Sequence, residues 1–247
     1  MIFLSPVSTA ETLSARDIVD RTINIAAIND SQKEATMVIQ RGKQKLTRKL
    51  IIKLKKYGQD QRSLTRFFEP AEVRDTQFLS WTYEAPQQDD DLWVFLPSEG
   101  LVRRISGGGK KGSFMRSDFA NEDIENRAVD DDTHILLGES EMHNRPVYII
   151  ESTPKPSKVQ DSNYAKRKLW IDKERWVALQ VQYYDRSERL LKQLSQGWLE
   201  QIDGIWTATK LIMETPRRKS RTLMQYSNIR YNTGQADSEF ENSSLKR

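Results

Sequence analysis

The chain has 247 residues, no cysteine, two histidines, and 39 Lys or Arg against 35 Asp or Glu, a formal charge of +4. Charged residues make up 30% and mean hydropathy is −0.72, yet 9% aromatics with six Trp exclude a disordered chain. Without cysteine there is no disulfide, cysteine nucleophile, zinc ribbon or anchoring thiol, and no apolar run reaches the roughly 18 residues of a membrane-spanning helix.

Residues 1–10 run from an apolar stretch through Pro6 to Ser8-Thr9-Ala10. Small residues at positions 8 and 10 fit the end of a secretory signal, so 1–10 is read as a signal-peptide remnant and 11–247 as a single domain. Ser14-Ala15-Arg16-Asp17 has the form of a capping box, and Ile18, Val19, Thr22, Ile23 and Ala26 follow at helical spacing. One amphipathic helix is expected over about 14–28.

Beyond it the period falls to two. Leu46, Leu50, Ile52 and Leu54 alternate with Thr47, Lys49, Lys53 and Lys55; Val177, Leu179, Val181 and Tyr183 repeat the pattern, and Ile205, Leu211 and Met213 share a face. Turn signals separate such runs at Arg41-Gly42-Lys43, His143-Asn144-Arg145-Pro146, Asp172-Lys173-Glu174, Asp185 to Glu188, and Asp203-Gly204. The pattern predicts an antiparallel meander with few helices.

Two runs carry apolar residues on both faces. Leu79, Trp81 and Tyr83 oppose Phe78, and Leu92, Val94 and Leu96 oppose Trp93 and Phe95. A sheet wet on one side does not do this, so part of this sheet is covered twice, by a helix, by a curling sheet or by an apolar ligand. Charge is also segregated. Positions 41–66 hold ten Lys or Arg and one acid, Asp60; positions 118–141 hold nine acids and one base, Arg127. The blocks are expected to pair with each other, to dock a charged partner, or to be solvated.

Motifs for chemistry are sparse. In the 107–112 glycine stretch, Gly112 is followed by Ser113-Phe114, not by the Lys-Ser/Thr of a phosphate loop. Asp89-Asp90-Asp91 and Asp130-Asp131-Asp132 lack the alternating acids and closing Glu of a calcium loop, and read as solvated turns. No nucleophile with a base and an orienter is visible, so neither an enzyme nor a cofactor or metal is expected.

The specific stretch is 66–119. Phe67, Pro70, Ala71, Glu72, Arg74, Thr76, Phe78 and Leu79 lead into Asp89-Asp90-Asp91, Trp93-Val94-Phe95-Leu96-Pro97, Arg103-Arg104-Ile105-Ser106 and Ser113-Phe114-Met115-Arg116-Ser117-Asp118-Phe119. This resembles the LolA-like outer membrane lipoprotein-sorting protein family. Asp75 and Arg116 stand where that family more often has Gly, so those two turns are expected to differ.

The resemblance implies an α+β, mostly antiparallel fold: a curved, incomplete half-barrel covered on its concave side by helices. It implies a periplasmic carrier or receptor for lipid or lipoprotein acyl chains. It also implies association with an RND-type exporter or another envelope protein, and at most peripheral contact with membranes. The expected cavity lining is Phe68, Trp81, Trp93, Phe95, Phe114 and Met115, with Arg103 or Arg104 meeting a headgroup. The other readings are a lipid-free sensor or exporter accessory, suggested by the charge blocks, and nucleic-acid binding through 41–66. The mild net charge argues for no nucleic-acid partner.

Overall fold

The computed structural model describes residues 13–246 apart from 25–27, 86, 107, 108 and 126; the expected signal remnant lies outside the described residues. Ser14 caps α1 (Ala15–Ile23), donating from Oγ to the Asp17 carboxylate at 2.6 Å while accepting the Asp17 N–H at 3.2 Å. The helix ends at Asn24, short of the expected residue 28.

Thirteen strands follow among the described residues: β1 (Asp30–Arg41), β2 (Gln44–Tyr57), β3 (Asp60–Glu69), β4 (Gln77–Thr82), β5 (Asp91–Leu96), β6 (Leu101–Ile105), β7 (Asp132–Glu141), β8 (Pro146–Pro154), β9 (Lys166–Asp172), β10 (Ala178–Tyr184), β11 (Leu190–Ile202), β12 (Ile205–Thr215) and β13 (Ser220–Tyr231). They form one antiparallel sheet in the order β6-β5-β4-β3-β2-β1-β13-β12-β11-β10-β9-β8-β7. The hairpin turns at His143-Asn144 (φ 53° and 58°) and Asp203-Gly204 (50° and 80°) are left-handed at both central residues, as tight two-residue turns require.

In this order β6 and β7 are opposite edges, although 106–131 joins them directly. Laid flat, thirteen strands would put those edges about 55–60 Å apart. A sheet this wide curls, and here the Lys158 ammonium beyond β8 donates to the Gln88 carbonyl before β5 at 3.4 Å. The edges do not pair, so the sheet stays open.

The two faces are covered by different segments. On the first, the helix face, Ile18 and Val19 of α1 join Met37, Leu50, Phe67, Phe78, Val94, Ile150, Val181, Met213 and Met224 in the main core. The rest of the cover on this face is the 106–131 connector, built of single 3-10 turns rather than further helices. It inserts Phe114, whose ring lies 5.8 Å from Phe67 and 4.9 Å from Phe78, along with Phe119 and Val129.

The opposite face of β3–β6 carries Leu64, Leu79, Trp81, Trp93, Phe95 and Val102, and the C-terminal segment covers it with Phe240 and Leu245, both fully buried. Trp81 Nε1 donates to the Phe240 carbonyl at 2.9 Å, and the Arg62 guanidinium stacks 3.9 Å over the Trp81 ring. Three bases of the 41–66 block fix this segment: Lys55 to Asp237 at 2.6 Å, Arg62 to Glu241 at 3.1 Å, and Lys53 to Glu239. The double apolar character of β4 and β5 thus has two covers from this chain.

Asp75 and Arg116 sit at φ 63° and 61°. The turns do not depart from the left-handed backbone that Gly favours, contrary to the expectation from sequence. Asp75 is held by Arg66 at 2.6 Å, and the Arg116 carbonyl accepts from Arg41 at 2.8 Å. A left-handed L residue costs on the order of 1 kcal/mol, so Arg116→Gly should raise stability by about that much. An unchanged or lower urea midpoint contradicts this. Phe240→Ala should cost about 3–5 kcal/mol by emptying a filled core site; a loss under about 1 kcal/mol would show that the C-terminal segment is not part of the core.

Candidate functional site

The helix face is uneven. Its centre is filled, but Ile52, Leu169, Tyr148, Trp176, Leu211 and Tyr226 pack against the core while remaining half-buried. Register explains the stripe: Ile52 on β2 faces Lys33 on β1, Ala35 on β1 faces Tyr226 on β13, and Leu211 on β12 faces Met224 on β13. Side chains of one parity on adjacent strands form one surface. Arg21 of α1 lies 5.1 Å over the Trp176 ring, so the helix meets this stripe at one end.

Beside it lies a dense ionic network that fixes the connector. Glu122 pairs with Arg167 at 3.3 Å, Asp131 with Lys158 at 3.2 Å, Asp132 with Arg127 at 2.7 Å and Asp123 with Lys192, all nearly buried except the half-buried Arg127. Tyr164 donates to Asp123 at 2.8 Å, and burial raises its phenol pKa. Asp118 accepts from Thr222 at 2.7 Å and from Ser220. The acidic block therefore pairs with Lys158, Arg167, Lys192 and its own Arg127, not with the 41–66 block, which is the correction to the first sequence expectation. Removing one member of such a pair strands a buried charge, costing about 3–5 kcal/mol.

Part of this network lines a polar recess of about 220 Å³, with Asp90, Lys110, Glu125, Asp131 and Lys158 in its wall. Lys110 pairs with Glu125 at 3.0 Å, but Glu125 Oε1 has no partner among the described residues and burial pushes its carboxyl up to about 7. Burial also raises Asp90. The aspartate runs are not free turns: Asp91 pairs with Arg104, and Asp130 with Arg16 at 2.7 Å. His134 donates from Nε2 to the Val129 carbonyl at 2.8 Å, and its Nδ1 shares a hydrogen bond with the Ser152 hydroxyl 2.8 Å away. Among the described residues no group of three or more carboxylates or imidazoles could hold a metal.

The eight side chains singled out from sequence are not brought together. Phe114 and Met115 lie on the helix face, Phe114 fully buried and Met115 partly so. Trp81, Trp93 and Phe95 lie on the other face beneath Phe240 and Leu245. Phe68 is half-buried at the end of β3, outside both clusters. Arg103 and Arg104 are exposed, paired with Glu99 at 2.5 Å and with Asp91. Sequence reasoning did not single out Ile52, Leu211, Tyr226 and Lys33, the half-buried side chains on this face. The signal was the alternation Lys33, Ala35, Met37, Ile39, which puts a lysine on the apolar parity.

The large open antiparallel sheet with few helices matches the fold of solved LolA-like proteins. A LolA superfamily protein from Nitrosomonas europaea matches with TM-score 0.74 at 22% identity, over 94% of this chain and 99% of that one. A domain from Vibrio parahaemolyticus, provisionally described as an outer membrane lipoprotein-sorting protein, matches with TM-score 0.87 at 28% identity, over 94% and 98%. A DUF1329 family protein from Desulfovibrio piger matches with TM-score 0.89 at 42% identity, over 94% and 97%. The chain belongs to the DUF1329 family. A family model described as an uncharacterized protein matches residues 59–247. No curated protein matches the sequence.

Glu125 gives the network a pH signature. Its folded pKa of about 7 exceeds the ordinary 4.5. Between these values the folded protein keeps a proton that the unfolded chain has released, so stability falls as pH rises from about 4.5 to about 7. Glu125→Gln should flatten that segment in urea midpoints taken at about pH 5 and about pH 7.5. The same slope in variant and parent would contradict the assignment.

Proposed function

We propose that this protein is a periplasmic carrier or receptor that holds a lipid or lipoprotein acyl chain on the helix face of its open sheet. The observation that carries the reading is the half-buried apolar stripe of Ile52, Leu211, Tyr226, Tyr148 and Trp176 on a fold shared with LolA-like proteins. The 28% identical Vibrio domain is described as a lipoprotein-sorting protein, which supports the cargo class and the periplasmic location. Among the described residues no helix is long and apolar enough to cross a membrane.

Burial gains about 0.8 kcal/mol per methylene. A carrier must also release its cargo, and a stripe that covers one side of a chain captures only part of that gain. Phe114 is a buried anchor of the connector, and only Met115 beside it is partly accessible, as an adaptable contact. Trp81, Trp93 and Phe95 have their contacts from the C-terminal segment and serve its attachment instead.

The test is native mass spectrometry on protein purified from periplasm without detergent. A lipid-sized adduct is expected, and Leu211→Glu should remove it while leaving the folded charge-state distribution intact. A clean apo mass, with no uptake of an offered fatty acid or apolar dye, would overturn the reading.

A further inference from the structure

Lys33 stands out on β1. Its register partner on β2 is Ile52, and it shares the face of Ala35, Met37 and Ile39, the last three fully within the core. A break in the β1–β13 ladder between Gln32 and Glu34 places it beside β13, where its Nζ lies 4.1 Å from the centre of the Tyr226 ring. Among the described residues no carboxylate or carbonyl pairs with this ammonium, in contrast to Lys110, Lys158 and Lys192 on the same side of the sheet.

Lys33 remains half-buried by exposure, yet burial alone lowers its pKa to about 8. Tyr226 behaves alike, with a half-buried ring and a phenol pKa raised by burial alone. The neighbours of Lys33 are the apolar Ile52 across the β1–β2 ladder and the Tyr226 ring. A half-buried ammonium without a counter-ion among apolar side chains is costly. The ring of Tyr226 offsets part of this as a cation–π contact, which does not neutralise the charge.

We propose that Lys33 and Tyr226 receive the anionic head of an acyl amphiphile, a carboxylate or a phosphate monoester, whose chain lies over Ile52 and Leu211. The inference rests on the carrier reading and names the headgroup that reading leaves open. The Nζ donates to the anion, the Tyr226 hydroxyl supplies a second donor, Ile52 opposite Lys33 takes the first methylenes, and Leu211, level with Met37, takes later ones. The charge supplied by the ligand is the partner that the protein itself withholds.

The experiment compares laurate, dodecyl phosphate and 1-dodecanol by isothermal titration against the parent chain, Lys33→Met and Lys33→Arg. Lys33→Met should weaken both anions about tenfold, the size of one charge-assisted hydrogen bond, and leave the alcohol unchanged. Lys33→Arg should keep most of the anion affinity, which shows that the loss follows charge and not packing. The tighter of the two anions identifies the headgroup. Equal affinity of the parent for anion and alcohol, or anion binding unaltered in Lys33→Met, overturns the inference and leaves the carrier reading standing. Failure of all three probes to bind the parent overturns both.

Discussion

An antiparallel sheet that places apolar side chains on both faces cannot leave either face to water. In this protein the constraint falls on β3 to β6, where Phe78 and Val94 point one way and Leu79, Trp81, Trp93 and Phe95 the other. The answer is two covers made of chain with little regular structure. The connector lies over one face and the C-terminal segment over the other. Neither supplies its own hydrogen-bonded ladder, so each is held by side chains. Phe114 and Phe240 give each cover an aromatic anchor, and acids carried by the covers meet bases carried by the sheet or its flanking loops.

That division of labour bears on function. The tail face is filled, and its aromatic residues already have partners. The helix face is filled at its centre and incomplete along β2, β1, β13 and β12, where Ile52, Lys33, Tyr226 and Leu211 stay half-buried. Buried ion pairs contribute little net stability, but they disfavour alternative placements of the connector because each misplacement strands a charge. The network around Glu122, Asp123 and Asp132 therefore holds the connector in place, while the apolar stripe where we propose that a chain binds stays outside it.

The hairpins were legible because their turns are local. Asp203-Gly204 and His143-Asn144 carry their geometry in two residues, and Ser14 with Asp17 carries the helix start in four. The double cover of β4 and β5 was legible as a need, from Phe78 beside Leu79 and Trp93 beside Val94. Its source was not, because Phe240 and Leu245 lie roughly 150 residues away along the chain and nothing local links them to Trp81. The charge blocks misled for the same reason. Acidic and basic blocks suggested each other, whereas the acids found isolated bases on β9 and β11 and the bases found three acids near the C-terminus. Aromatic residues stand out as lining candidates, but parity decides the face of a strand residue and puts Trp81, Trp93 and Phe95 opposite Phe78, whereas Phe114 reaches Phe78's face from the connector.

The central claim is that cargo occupies the helix face and not the tail face. Anomalous diffraction from crystals grown with a fatty acid brominated near its carboxyl end would locate the chain directly. The account predicts a bromine peak beside Ile52 and Leu211, with Phe240 and Leu245 still seated on Trp81 and Phe95. A peak among Trp81, Trp93 and Phe95 with the C-terminal segment displaced would contradict it.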